Sequence, residues 1–369
     1  MIKVGLLYGG RSLEHEVSRC SAASVFSAID TAKYEVTAIG IDRTGRWYVQ
    51  EPAEIIDDKD FGKVLAIKKT GTWLVNHFEN GRKLWLHDID GSRRRYVDVV
   101  FPVLHGTFGE DGTLQGLLEL AMVPYVGADV IGSAVGMDKD VAKRLLRDAG
   151  IAVVPWITIR RAQWEAEAKR IVERVKSEFG FPVFVKPVTA GSSVGVRKVT
   201  GAALIEEAVE NAFLFDTKVM VEKAVGCREI ECSALGNDLV EVSPPGEVIP
   251  RHEFYSYDAK YIDPEGADLR IPADLPAELS AGIRDAASRG YRALCCSGMA
   301  RVDFFLEKNG TRFYLNEINT LPGFTSISMY PKLWKAAGLS YPELIDRLIG
   351  LAFERHGRRV SITTELTKQ

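Results

Sequence analysis

The chain has 369 residues, 46% hydrophobic and 26% charged, which is enough for two or three buried cores and argues against disorder. Its 47 Lys and Arg against 50 Asp and Glu leave a net charge of −3, excluding a net basic field that would steer it to nucleic acid or an anionic membrane. No run approaches the ~18 uncharged apolar residues of a transmembrane helix.

Residues 2–8 read as a buried strand ended by Gly9 and Gly10, too short for a signal peptide. A helical pattern follows from His15 to Ile29, then a second strand at 34–41. Residues 45–95 carry short strands and turns with weak periodicity, an elaboration of the first unit. Residues 97–104 return as a buried strand and 113–122 as a helix. Strands alternating with helices predict a parallel, doubly wound sheet over 1–127. A second α/β unit, 128–226, opens with one helix over 133–149 that Gly150 closes. Strands at 153–159, 183–187, 196–199 and 218–223 follow, with helices at 163–178 and 202–212. The third unit, 227–369, has strands at 228–236 and 239–244 and a long polar loop at 245–275 with four prolines. A loop of that length in a compact domain is functional or disordered. A helix at 277–294, strands at 299–307 and 312–318, and helices at 331–337 and 341–355 complete it. The five cysteines (Cys20, Cys227, Cys232, Cys295, Cys296) show no CxxC spacing and fit reduced thiols of a cytoplasmic protein.

Several stretches carry chemistry. Thr189 to Gly195 joins two strands with small residues whose N–H groups can cradle phosphate, although the same run reads as a plain turn. Lys186, in an apolar strand just before it, calls for an anionic partner. Arg301 and Asp303, and Glu317 and Asn319, are i, i+2 pairs on two strands joined by a short turn, so all four gather on one face. Two acids and an amide suit Mg²⁺, which takes hard oxygen ligands and substrate phosphates. The Leu321 to Ser328 loop offers N–H groups near Gly323, and Ser326 and Ser328 for a carboxylate. Ser12, Glu14 and His15 follow the first strand, where ligands of open α/β sheets bind, although a helix cap explains them too. His105 stands at another strand end, bounded by glycine.

These stretches, in this order, resemble the D-alanine–D-alanine ligases, members of the ATP-grasp enzymes. The matching runs are Gly9 to Ser18, His105 to Gly116, Met137-Asp138-Lys139, Lys186-Pro187 with Gly191 to Gly195, and Arg228 to Glu231. Tyr257 to Tyr261, Arg301-Val302-Asp303 and Glu317 to Ser326 complete the set, which spans residues 4–350. The resemblance implies an ATP-grasp fold of three α/β domains. It also implies ATP-dependent ligation of two D-alanine molecules through an acyl phosphate, for peptidoglycan. Lys139 and Lys186 would bind the ATP phosphates. Glu222, Lys223, Ala224 and Val225 would form the adenine hinge, and Glu229 would take the ribose. Asp303, Glu317 and Asn319 would hold two Mg²⁺ or Mn²⁺ ions, with K⁺ a further candidate activator. Glu14, Ser192 and Tyr261 would form one hydrogen-bonded set that orients the first D-alanine, with His105 nearby. Arg301 and the Gly323 N–H would stabilise the tetrahedral oxyanion. Ser328 and the Met329 N–H would bind the second carboxylate, and Lys260 would reach the transferring phosphate as the 245–275 loop closes. Tyr261 favours D-alanine over D-lactate as second substrate. Residues 224–227 and 188–190 vary the hinge and the phosphate loop. A cytoplasmic homodimer is implied, with no nucleic-acid or membrane partner. The alternatives are another ATP-grasp carboxylate–amine ligase, including a D-lactate or D-serine variant, and a non-catalytic ligand-binding protein. The absence of GxGxxG argues against a dehydrogenase.

Overall fold

The first strand, β1 (Ile2–Gly9), is apolar at almost every position because both faces of its sheet are covered. The computed structural model describes every residue except 52, 70–72, 76–83, 89–93, 252–265, 326 and 364–369. β1 pairs in parallel with β2 (Tyr34–Ile41) and with β9 (Val99–Pro102), and β3 (Trp47–Gln50) adds an antiparallel edge to β2. Val4, Leu6 and Tyr8 point to one face and pack with α1 (His15–Ala28). Leu7 points to the other, covered by α2 (Thr113–Leu120) and by β7 (Leu84–Asp88) and β8 (Arg94–Val97) of the elaboration. The elaboration also holds a hairpin, β4 (Ile55–Asp58) with β5 (Gly62–Leu65), and β6 (Trp73–Val75), which pairs β7.

In the second unit, one helix was expected over 133–149. Two are found, α3 (Val130–Met137) and α4 (Lys139–Asp148), broken at Asp138. Asp138 is extended (φ −84°, ψ 94°), and its carboxylate accepts the N–H groups of Asp140 and Val141. Aspartate competes with the helix for its own backbone and so favours a cap over an interior site. The sheet is antiparallel, in the order β10 (Trp156–Arg160), β13 (Lys218–Lys223), β11 (Val183–Pro187), β12 (Arg197–Val199). Odd-numbered Ile157, Ile159, Val183, Val185, Val219 and Val221 face α5 (Arg161–Glu178) and α6 (Ile205–Ala212). Lys186 and Glu222 therefore lie on the opposite face.

The third sheet runs β17 (Ala267–Arg270), β16 (Gly246–Pro250), β14 (Cys227–Gly236), β18 (Gly298–Glu307), β19 (Phe313–Asn319), with the two-residue β15 (Glu241–Val242) beside β14. β16 and β17 correct the expectation of a loop throughout 245–275. Pro250 ends β16, and Pro245 and Pro272 lie outside the strands, where no ladder hydrogen bond is lost. The expected 239–244 strand shrinks to β15. Ile230, Cys232, Val302, Phe304, Leu315 and Ile318 pack against α7 (Ala277–Ala293). A bulge between β18 and β19 skips Asn316 in the register, so Leu315 and Ile318 both face inward although three apart. Two helices follow, α8 (Met329–Ala336) and α9 (Tyr341–Val360), the latter opened by a Ser340–Glu343 capping box. Leu344, Ile345, Leu348, Ile349 and Ala352 of α9 join Leu235 and Met299 at the end of the third sheet to the first core beside Leu6 and Phe101.

Candidate active site

The three units meet at a narrow cleft lined by Glu110 from the first, Lys139 and Gly191 from the second, and Glu317 and Asn319 from the third. At the end of β1, the Ser12 hydroxyl donates to the His105 carbonyl (2.6 Å) and accepts the Glu14 N–H (3.1 Å). Glu14 stands at the N-cap of α1 but does not cap it. Its buried carboxylate accepts instead from the Ser192 hydroxyl, across from the first unit to the second. A Cβ at Gly191 or Gly106 would come within 2.8 or 2.5 Å of Glu14 Oε2, so a side chain at either position would push that carboxylate aside. Ser192 and Ser193 have positive φ (48° and 60°), the left-handed turn that aims the hydroxyl. The loop is tied back by Asp216, which accepts the Thr189 N–H (2.7 Å) and hydroxyl (2.8 Å).

His105 is buried, and both ring nitrogens are taken. Nδ1 meets the Leu321 carbonyl at 3.0 Å and Nε2 meets the Ser21 hydroxyl at 2.9 Å. A carbonyl only accepts, so Nδ1 carries the proton and Nε2 accepts. Burial lowers its pKa to about 4, so the ring is neutral at pH 7. Its ring ties the end of β9 to the 321–328 loop. Glu110 lies next to it, accepting the N–H groups of Gly106 (2.6 Å) and Leu321 (3.3 Å). Burial and then the nearby Glu14 charge push its carboxyl up to about 8.

From the second unit, Lys139 donates to the Ala190 carbonyl (3.0 Å) and lies 3.4 Å from Glu317 Oε2. Asp138 beside it also pairs with Lys218. Lys186 finds its anionic partner in Glu222 Oε2 at 2.7 Å, and the other oxygen of Glu222 takes Lys143 of α4. Burial alone would raise the Glu222 carboxyl, but the two ammonium groups outweigh it and hold it at about 2. The N–H groups of Lys223 and Ala224 pair with the carbonyls of Pro155 (3.1 Å) and Pro182 (3.2 Å), fixing the strand end that leads into Val225.

On the third sheet, antiparallel pairing sets Arg301 opposite Asn319 and Asp303 opposite Glu317. Arg301 grips Asp303 with two bonds of 2.7 Å and lies 3.0 Å from Glu231, and Asn319 Nδ2 donates to Asp303 (3.2 Å). Glu229 is on the same face, opposite Phe305. Next to this face, a Cβ at Gly323 would meet Ser328 Oγ at 2.8 Å. The Ser328 hydroxyl accepts the Thr325 N–H (3.0 Å), so it closes its own loop, and Met329 opens α8 with its N–H at the helix end. Phe324 is fully buried against Phe101, Tyr330 and Tyr341 and pins the loop. Lys260, Tyr261 and Ser326 lie outside the described residues.

Among the described residues no three Asp, Glu, His or Cys side chains form a ready metal cluster. Two carboxylates and an amide on one face fit an ion that completes its shell with water and phosphate oxygens, as Mg²⁺ does. The Asn319 amide is turned with its nitrogen to Asp303, which leaves its oxygen as the acceptor. Glu110, Glu231 and Lys143 join the site although the sequence reading did not assign them. Glu231 was legible, since it alternates with Glu229 on β14 and faces Asp303. Glu110 and Lys143 were not, because only tertiary packing brings Glu110 to the cleft and buries Lys143.

Residues 3–128 match the family described as D-ala D-ala ligase N-terminus, and residues 145–350 the one described as D-ala D-ala ligase C-terminus. The chain is 49% identical over 360 residues, 96% of each chain, to the D-alanine--D-alanine ligase of Shouchella clausii. It is 47% identical over 365 residues, 99% of each, to the D-alanine--D-alanine ligase A of Salmonella typhimurium. The solved D-alanine-D-alanine ligase of Coxiella burnetii superposes with a TM-score of 0.82 at 36% identity, covering 98% of each chain. The VanG D-Ala:D-Ser ligase of Enterococcus faecalis gives 0.80 at 38% identity, covering 95% of this chain and 99% of its own.

Proposed function

The chain belongs to the D-alanine–D-alanine ligase family, and from that premise we propose how its own residues carry out the ligation. The enzyme has the ATP-grasp fold and uses ATP to join two D-alanine molecules for peptidoglycan. The first D-alanine carboxylate attacks the γ-phosphate and ADP leaves. The second D-alanine amine then attacks the acyl-phosphate carbonyl, loses a proton and expels phosphate. Phosphoryl transfer asks a protein for positioning and charge rather than covalent chemistry.

The observation that carries the residue assignment is the cleft itself, which joins Lys139, Glu317 and Asn319 beneath Gly191. Lys139 and Lys186 supply positive charge to the ATP phosphates. Lys223, Ala224 and Val225 line the adenine at the β13 end, with Glu222 behind them and Glu229 at the ribose. Asp303, Glu317 and Asn319 hold divalent cations, Mg²⁺ or Mn²⁺, whose chemistry is to neutralise charge on the transferring phosphate. Glu14 holds the first D-alanine ammonium, and its bond to Ser192 keeps the phosphate loop shut over it, with Tyr261 completing the set. Arg301 and the Gly323 N–H face the developing oxyanion, a contact of the kind worth about 3–4 kcal/mol in acyl transfer. The Met329 N–H and Ser328 take the second carboxylate, the hydroxyl turning from Thr325. Lys260 of the 245–275 stretch reaches the phosphate, and exclusion of water protects a hydrolysable intermediate.

The proposal divides the chain at 127 and 226. It includes a cytoplasmic homodimer. No helix among the described residues is long and apolar enough to cross a membrane. The likeness to a D-Ala:D-Ser ligase favours one competing reading, a different second substrate. Phosphate release from ATP and Mg²⁺ tests both, with D-alanine alone, L-alanine alone, and D-alanine with D-serine or D-lactate, and with K⁺ exchanged for Na⁺. Release on D-alanine alone with a D-alanyl-D-alanine product is expected. Release that requires D-serine or D-lactate would overturn the second-substrate assignment.

A further inference from the structure

Lys143 takes no part in the reaction as derived, yet its side chain is only 1% exposed. It stands one turn beyond Lys139 on α4, with its ammonium 5.4 Å from the Trp156 ring and bonded to Glu222. Lys186 reaches the other oxygen of the same carboxylate. Two ammonium groups thus share one buried anion, a cluster of net charge +1 when both are protonated. A buried charge without its counter-charge is costly, and one lysine with one glutamate would be the cheaper arrangement. Burial accordingly lowers the Lys143 pKa, against the pull of Glu222. An apolar residue at 143 would leave a balanced Lys186–Glu222 pair, with both oxygens free to close on Lys186.

We propose that Lys143 is a positioning residue for nucleotide binding. By occupying one oxygen of Glu222 it keeps Lys186 held by a single bond, and it leaves the pocket one positive charge in excess for the nucleotide phosphates to neutralise. The inference rests on the proposed contact of Lys186 with those phosphates. It makes stability and function move apart, which a structural lysine would not do.

The test compares Lys143→Met, Lys143→Arg and Lys186→Met in the whole enzyme, reading melting temperature and the separate KM values for ATP and D-alanine. Lys143→Met should keep or raise the melting temperature and raise KM for ATP at least tenfold, with KM for D-alanine within threefold. Lys143→Arg should return KM for ATP to within threefold of wild type. In a Glu222→Gln background, Lys143→Met should no longer raise KM for ATP, because the carboxylate it acts through is gone. Loss of folding or of melting temperature in Lys143→Met would make the residue structural and overturn the proposal. An unchanged KM for ATP in Lys143→Met, with a raised one in Lys186→Met, would overturn the proposal and leave the Lys186 contact standing. An unchanged KM for ATP in Lys186→Met would remove that contact and the proposal with it.

Discussion

Glu110 should make the enzyme less stable as pH rises through neutrality. Its carboxyl is moved from 4.5 to about 8 by burial and by the Glu14 charge. Below about pH 4.5 the folded and unfolded states both hold the proton, and the side chain costs nothing. Between there and about pH 8 the unfolded chain has released it and the folded chain has not, so folding takes up a proton and stability falls with pH. At 1.36 kcal/mol per pKa unit, the loss amounts to about 3–5 kcal/mol, complete near pH 8. Glu110→Gln keeps the shape and the carbonyl acceptor for the Gly106 N–H, giving up at most the longer bond to Leu321. Urea unfolding of both proteins at pH 5, 6, 7, 8 and 9 isolates the term, since other groups cancel in the difference. The variant should be no more stable than wild type at pH 5 and should gain on it by several kcal/mol at pH 8, then level off. A stability difference that stays flat from pH 5 to 9 would refute the reasoning.

Glu317→Gln should reduce turnover by two orders of magnitude or more without changing the melting temperature, since it removes a negative ligand and not a core contact; normal rates at saturating Mg²⁺ would remove it from the metal set. Asp138→Ala should cost about 1–2 kcal/mol in urea unfolding, as a helix cap does, and should raise KM for ATP because α4 carries Lys139. Phe324→Ala should cost about 3–5 kcal/mol by emptying a fully buried aromatic site. It should also raise KM for D-alanine more than KM for ATP, because the loop it pins holds Gly323 and Ser328.

Strand after strand was legible wherever burial is two-sided or strictly alternating. β2, β11 and β13 fall where the apolar pattern put them, and Arg301 and Asp303 face Asn319 and Glu317 as their spacing required. The break at Asp138 escaped because α3 and α4 together look like one amphipathic run, and a cap in its middle is a local competition that periodicity does not report. β16 and β17 escaped because both are short: β16 is bounded by a glycine and a proline, and β17 has only two apolar residues, which makes little apolar signal. At the site, motifs marked the residues proposed above to touch ligands. They could not show that the ring of His105 is spent on Leu321 and Ser21, or that the lysine of β11 already has Glu222. Those are facts of burial, fixed by elements far apart in sequence.

The helix α9 closes the core of the first sheet with five apolar side chains drawn from the far end of the chain. During synthesis, β1, β2 and β9 leave the ribosome more than 200 residues before the helix that covers them. The part of that face which α1 leaves uncovered must wait while residues 103–340 are made. Completion of the first core is thereby a late event, and a chain stopped short of residue 341 would leave it without those five apolar side chains.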